Sequence, residues 1–300
     1  MVFSVAMRLS GLMNHAGKGI FTRVVSRFLY IVVAGRRRVA LRNIERAFGN
    51  RYSPSERARL VKESYSAGVR TVVEGFASLS PGGPEHLVGG VRVEGLDRVK
   101  KALGGGKGAI CISSHYGPFP FIGAVFPALG LKPFYFLYRR PKNVIVAERF
   151  DWWLNRVGCG VIEDNPKSEA VKRVLRALGG GSCVCILVDQ HFPAGVEIPF
   201  FGHSAKTGVG AAVLSARSGA PLIPLRIRAD RSGKFRYLLE VDEPVPPPVD
   251  TSETELKSCM SAITARVEAW IREDPSQWFW VHRRWKDLDR AEDSARRSGS

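Results

Sequence analysis

Carboxylates are scarce at the start of this chain. Residues 1–70 carry fourteen Lys or Arg against Glu45, Glu56 and Glu63, so +11 of a formal net charge of +17 lies in less than a quarter of the 300 residues. A block so poor in acid seeks an anionic partner: nucleic acid, phospholipid headgroups or an acidic carrier protein. Cysteine is sparse as well. The five cysteines are an odd number; Cys183 and Cys185 alternate onto one face of a strand pattern, while Cys111, Cys159 and Cys259 are scattered. That spacing excludes a disulfide framework and a zinc site and suits small core residues of a cytoplasmic protein. Within the first 35 residues the apolar stretch is broken by Lys18, Arg23 and Arg27, short of the roughly 18 uncharged residues a membrane span requires. No small-residue cleavage site closes it as a signal peptide would. No metal-ligand spacing and no dinucleotide fingerprint appears, so no cofactor is expected. Gly104-Gly105-Gly106-Lys107-Gly108 has the glycines and lysine of a phosphate loop, but lacks a Ser or Thr after Lys107 and leads into a strand pattern where a helix should start; it is a helix stop and turn.

What the first 35 residues do contain is Arg and Lys set among Val, Leu, Ile and Phe, such as Ile20, Phe21, Val24, Val25, Phe28 and Leu29. That mixture describes a helix lying in a membrane interface, whereas nucleic-acid-binding arms carry less aliphatic surface. Residues 1–35 are therefore expected to be a membrane-associated amphipathic segment on an anionic surface, the cytoplasmic face of a membrane, with no nucleic-acid role. Beyond it, 37–48 and 55–79 have helical periodicity, with Ser53-Pro54 as break and cap. Strands are predicted near 91–93, 108–114, 133–138, 183–189, 221–229 and 235–241, the last two as a hairpin-like pair. Helices are predicted near 118–129, 142–157, 166–178, 207–218 and 252–273. Alternating strands and helices argue for one α/β domain over 36–287 with a mostly parallel central sheet flanked by helices, followed by a frayed tail over 288–300.

Two of the strands share a design. Ile110-Cys111-Ile112-Ser113 runs into Ser114-His115-Tyr116-Gly117, and Cys183-Val184-Cys185-Ile186-Leu187-Val188 runs into Asp189-Gln190-His191. Each follows a glycine cluster that ends a helical pattern. If both strands are parallel in one sheet, their C-terminal tips share an edge, where such sheets place their sites. His115 and Asp189 then become candidates for one acid/base site, against the plainer readings of a satisfied polar residue and a helix cap.

These residues resemble the bacterial lipid A late acyltransferases, the lauroyl- and myristoyl-transferase group of the lysophospholipid acyltransferase superfamily. The resemblance covers residues 1–287 and rests on blocks in the family's order: Arg38 to Ile44 with Phe48; Ser114-His115-Tyr116-Gly117; Tyr138-Arg139 with Asn143; Asp189-Gln190; Ile198 to Gly202 with Ala205 and Thr207; Gly219-Ala220-Pro221 with Pro224; and Trp280 to Lys286. It implies a glycerolipid acyltransferase-like fold at the inner face of the bacterial inner membrane. It also implies transfer of a fatty acyl group from a thioester, on acyl carrier protein or coenzyme A, to a hydroxyl of a lipid A precursor or related glycolipid or lysolipid. In the family's motif four residues separate the His from an Asp or Glu, and that acid orients the imidazole as it takes the acceptor's proton.

His115 matches the family's His, but the acid's position is Pro120, with Pro118 and Pro120 suited to the first turn of a helix. Another carboxylate then serves His115, or the base works unassisted, or the chemistry has changed. Asp189 is the preferred substitute, with Glu148 and Glu197 as weaker ones. Substrate binding is assigned by the resemblance to Arg139, a phosphate-binding or charge-stabilising group, and to Asn143, Gln190, Lys206 and Thr207. Trp278, Trp280, His282, Arg283 and Arg284 are read as an interfacial patch. The readings that compete with acyl transfer are a catalytically weakened lipid-binding member and the same fold transferring an aminoacyl unit.

Overall fold

The computed structural model describes residues 15–78, 83–131, 133–141 and 143–298. Residues 1–14, the first part of the predicted membrane-associated segment, lie outside the described residues, as do Pro81 and Gly82 of the predicted break after the second helical region. The described residues open with three helices, α1 (His15–Val32), α2 (Ala34–Phe48) and α3 (Pro54–Ala77). Ser53 starts α3 by a reciprocal cap: its hydroxyl accepts from the Glu56 N–H at 3.3 Å, its own N–H donates to the Glu56 carboxylate at 2.8 Å, and Pro54 occupies the first helical position. Helix α1 packs along α3, burying Thr22 and Ser26 while leaving Ile20, Val24, Phe28 and Ile31 in solvent.

The α/β body follows as α4 (Gly83–Gly89), β1 (Val91–Glu94), α5 (Leu96–Gly104), β2 (Ala109–Ser113), α6 (Ile122–Ala128), β3 (Phe134–Tyr138), α7 (Val144–Arg156), β4 (Gly160–Glu163), α8 (Lys167–Gly179) and β5 (Cys183–Leu187). A hairpin of β6 (Val196–Phe200) and β7 (His203–Thr207) interrupts it, and α9 (Gly210–Ser218), β8 (Leu222–Ala229), β9 (Tyr237–Val241), α10 (Glu253–Glu273) and α11 (Lys286–Ser298) complete it. The main sheet has seven strands in the order β1-β9-β8-β2-β5-β3-β4. Every pairing in it is parallel except β8 with β9, so the mostly parallel sheet with a terminal antiparallel pair is as predicted. Successive β2 residues face opposite layers: Cys111 joins Phe121, Val125 and Phe134 on one side, and Ile110 and Ile112 join Val184, Leu222 and Ile263 on the other. Helices on both faces explain why this strand is apolar throughout.

Three strands escape the sequence reading. β4 is four residues long at the sheet edge, and β6 and β7 form their own two-stranded sheet, with Pro199 tolerated because a hairpin strand has a free edge. The predicted frayed tail is also different in the structure: residues 286–298 are helix α11, and its first turns are tied to α2 by Arg46 to Asp289 at 2.8 Å and to Glu292 at 2.6 Å. Charge pairing with a distant basic helix orders a segment whose own composition is polar.

Candidate active site

The register of β2 against β5 builds the site. Ser113 lies opposite Leu187, so the residues two positions beyond each, His115 and Asp189, leave the same edge side by side. The His115 Nδ1 is 2.8 Å from Asp189 Oδ1, the His115 backbone N–H donates to Oδ2 at 2.9 Å, and the Trp278 indole N–H donates to the same oxygen at 2.8 Å. The carboxylate is buried. Burial by itself would raise its pKa, but the His115 and His282 rings and the donated hydrogen bonds outweigh this and hold Asp189 well below the usual carboxylate range, hence ionised. An ionised Asp189 fixes the tautomer of His115 with the proton on Nδ1 and the lone pair on Nε2. That Nε2 faces outward, 3.1 Å from the side-chain amide of Gln190, and the imidazole is flanked by Phe119 at 4.9 Å and Phe279 at 6.2 Å.

The turn that carries His115 is locked from below. Gly117 sits at φ +54°, and a Cβ there would lie 2.1 Å from the Ile227 carbonyl oxygen, so only glycine fits. The segment 277–279 zips along this turn: Gly117 N–H donates to Gln277 O at 2.8 Å, Tyr116 bridges to Trp278, and Phe279 N–H donates to His115 O at 3.0 Å. The predicted interfacial patch is thereby corrected. Trp278, Trp280 and Arg284 are fully buried and His282 is half-buried, while Arg283 and the neighbouring Phe279 are exposed. Alternation along Trp278-Phe279-Trp280 is the signal that would have separated the two indoles inside from the phenyl outside.

Arg284 spans the site's floor, donating to Gln190 O at 3.0 Å, Lys206 O at 2.9 Å and the Thr207 hydroxyl at 2.6 Å. Burial lowers its pKa to about 10, still charged at neutral pH. His282 contacts Asp189 O at 3.2 Å and Phe279 O at 2.9 Å, and burial pushes its imidazole down to about 4, so it is neutral.

Of the remaining predicted substrate residues, Arg139 leaves the tip of β3 beside that of β5, exposed, and has no carboxylate partner among the described residues. Arg140 differs, pairing with Asp151 at 3.3 Å and Glu163 at 3.7 Å. Asn143 caps α7, accepting from Val146 N–H at 3.2 Å, and so shapes the loop after Arg139. Lys206 sits at half exposure, 3.4 Å from Asp287. Thr207 is corrected: it is fully buried, its hydroxyl donating to Ala205 O and accepting from Arg284, so it supports the floor and cannot line an open site. Glu148 and Glu197 are exposed and make no hydrogen bond to His115.

Two apolar cavities lie along α3, and Phe279, beside the imidazole, lines the larger of them. One of about 450 Å³ lies between α1 and α3 and includes Val25, Leu29, Tyr65, Val72 and Phe279. The other, of about 150 Å³, lies between α3, the 3-10 turn Phe119–Phe121 and α7, and includes Val72, Phe76, Pro120, Val146 and Trp153. Pro120, where the resemblance implies an acid, is therefore an apolar wall. No group of three or more His, Cys, Asp or Glu able to hold a metal ion occurs among the described residues.

A family model described as "Bacterial lipid A biosynthesis acyltransferase" matches residues 6–287. The chain is 25% identical to the lipid A biosynthesis lauroyltransferase of Escherichia coli K12 and 28% identical to the palmitoleoyltransferase of the same strain, each alignment covering 84% of this chain and 79% of the relative. It is 24% identical to a phosphatidylinositol mannoside acyltransferase of Mycolicibacterium smegmatis, over 63% of this chain and 60% of that one. Among solved structures, it aligns with the 1-acyl-sn-glycerophosphate acyltransferase of Thermotoga maritima at 17% identity and a TM-score of 0.38, over 84% of this chain and 96% of that one.

Proposed function

We propose that this chain, which belongs to the bacterial lipid A biosynthesis acyltransferase family, transfers a fatty acyl group from a thioester on acyl carrier protein or coenzyme A to a hydroxyl of a lipid A precursor or a related glycolipid. The observation that carries the reading is the His115 Nδ1 to Asp189 Oδ1 contact of 2.8 Å, which turns Nε2 toward the Gln190 amide, beside the Phe279 ring that lines the larger apolar cavity.

His115 is the general base. Its Nε2 displaces the Gln190 amide, takes the proton of the acceptor hydroxyl as that oxygen attacks the thioester carbonyl, and returns a proton to the departing thiolate when the carbon–sulfur bond breaks. Asp189 holds the ring in the required tautomer and stabilises the imidazolium that forms between the two steps. The larger cavity, within the ~300–1,000 Å³ range of ligand sites, receives the acyl chain. Arg139, free of any carboxylate among the described residues, binds a phosphate of donor or acceptor. Pro120 no longer weighs against catalysis, because a carboxylate reaches His115 from β5 instead.

No helix among the described residues is long and apolar enough to cross a membrane. Helix α1 supports attachment to a surface: Ile20, Val24, Phe28 and Ile31 form an exposed stripe with exposed Arg23 and Arg27 beside it, which suits the anionic cytoplasmic face of the inner membrane. Mass spectrometry of lipid A and total lipid from cells with and without the gene tests the function. A loss of one acyl unit in its absence supports the proposal; a different mass increment points to another transferred group, and no change favours the lipid-binding reading.

A further inference from the structure

Helix α7 begins in an unusual way. First turns favour polar or acidic side chains, which complement the free N–H groups and the positive end of the helix dipole. Here the first three residues are Val144, Ile145 and Val146, exposed to 60%, 61% and 40%. Asn143 already satisfies the Val146 N–H, so this helix end does not depend on water for that group. Two turns further along, Trp152 is 46% exposed, while the other five tryptophans are at 5% or less. The seven residue steps from Ile145 to Trp152 rise about 10 Å, comparable with the step from acyl chains to headgroups, and tryptophan favours that upper level. Glu148 lies between them, with Arg149 beside it and Arg139 on the preceding loop; neither arginine has a carboxylate partner among the described residues.

This tip is continuous with α1. Val146 lines the smaller cavity with Val72, Val72 lines the larger cavity with Val25 and Leu29 of α1, and Phe279 of that larger cavity stands beside His115. We propose that the first turn of α7 is a second membrane-contact element, inserting Val144, Ile145 and Val146 among the acyl chains of an anionic bilayer and seating Trp152 at headgroup depth. Helices α1 and α7 then straddle the opening at His115, so that an acceptor lipid reaches the base without leaving the bilayer. The unpaired arginines and the contiguity of the two apolar elements select a lipid surface over a second copy of this chain or a carrier protein. The inference rests on the reading that the acceptor is a membrane lipid.

Trp152 is its own reporter. Vesicles of phosphatidylglycerol and phosphatidylcholine with brominated acyl chains should quench the tryptophan fluorescence of the full chain, and Trp152→Phe should remove most of that quenching. The double variant Val144→Asp/Ile145→Asp places negative charge where a helix start welcomes it, so the fold is retained. It should partition into the vesicles at least tenfold less well, yet transfer acyl groups to a detergent-dispersed acceptor within twofold of wild type. Quenching that persists in Trp152→Phe, or a double variant that partitions as wild type does, overturns the proposal. So does self-association of the wild-type chain that the double variant abolishes while vesicle binding is unchanged. A wild-type chain that transfers no acyl group in either setting defeats the acyl-transfer reading instead, and leaves quenching and partition to judge the membrane element.

Discussion

The Asp189 carboxylate is matched by donors of the protein itself, whereas the face made by α1, Val72 and the start of α7 leaves large apolar side chains in water. The buried carboxylate takes hydrogen bonds from the His115 ring, the His115 backbone and Trp278. Such a carboxylate is satisfied by the protein alone and is held in place before substrate arrives. The apolar face is unfinished in the same sense: Phe28 and Ile31 are both 61% exposed, a cost that burial against another surface removes. Chemistry needs preorganised dipoles and a lipid substrate needs an apolar approach, and this molecule keeps the two side by side.

Breaking the ordered side should have the largest effect. His115→Ala is expected to lower acyl transfer on the order of 10² to 10⁴, and Asp189→Asn by a similar order with the fold retained, because an amide cannot stabilise the imidazolium. Activity of Asp189→Asn within threefold of wild type would separate the carboxylate from the reaction. Pro120→Glu sharpens the point. Nδ1 points toward position 189 and position 120 faces an apolar cavity, so the added acid should not restore Asp189→Asn; recovery would show that the turn redirects its side chain to the ring.

Next comes the pair at the tip of β3. Arg139→Ala should cost about 2 kcal/mol in kcat/KM, the worth of a charged hydrogen bond, while Arg140→Ala stays near wild type because its partners are Asp151 and Glu163. Lysine at 139 should rescue poorly if the contact is two-pronged; equal losses at both arginines would remove Arg139 from the site.

On the apolar side, Arg23→Glu/Arg27→Glu should weaken binding to anionic vesicles about tenfold or more at low salt, since each charge near the surface contributes about 1 kcal/mol. Flotation of both proteins at matched salt checks this, and equal binding would leave apolar burial as the whole attachment. Arg36 and Arg37 are poorer choices: the first donates to Val281 O and the second stacks on Tyr30, so their loss would also disturb packing.

The smallest effect is a pH dependence of stability. His282 titrates at about 4 in the folded chain against about 6.5 when unfolded. As pH falls, the unfolded chain therefore takes up the proton first. The contribution is complete above about 6.5 and is lost between about 6.5 and 4, amounting to about 1 to 2 kcal/mol for a partly accessible ring. Urea midpoints across that range should fall more steeply for wild type than for His282→Gln, and parallel curves would contradict the assignment.

The strands that build the site were legible from their apolar runs, and Ser53-Pro54 marked the start of α3. The partner of His115 was legible only as a preference among Asp189, Glu148 and Glu197, because nothing local distinguishes a carboxylate that meets a ring from one in solvent. The buried Trp278 and Arg284 were misread for the same reason. Trp, His and Arg in one short block suit a membrane interface in isolation, and only the zipper between 277–279 and the His115 turn takes them inside. Thr207 likewise looked available until Arg284 reached it across 77 residues of sequence. Helix α11 is mostly polar and is tied down by Arg46 of α2 and by Leu288 packed on the core, which the tail's own composition does not reveal.

Local pattern by itself determined the alternation of strands and helices, the basic, apolar-rich composition of the start and the two polar strand tips, since periodicity and turn chemistry act over a few residues. Register, burial and pairing were decided by the tertiary structure. A parallel sheet sets neighbours 74 positions apart to within 2.8 Å through helical crossovers whose length and packing no short window of sequence contains. For that reason His115 could be recognised from its own strand, while the role of Asp189 depended on which strand came to lie beside it.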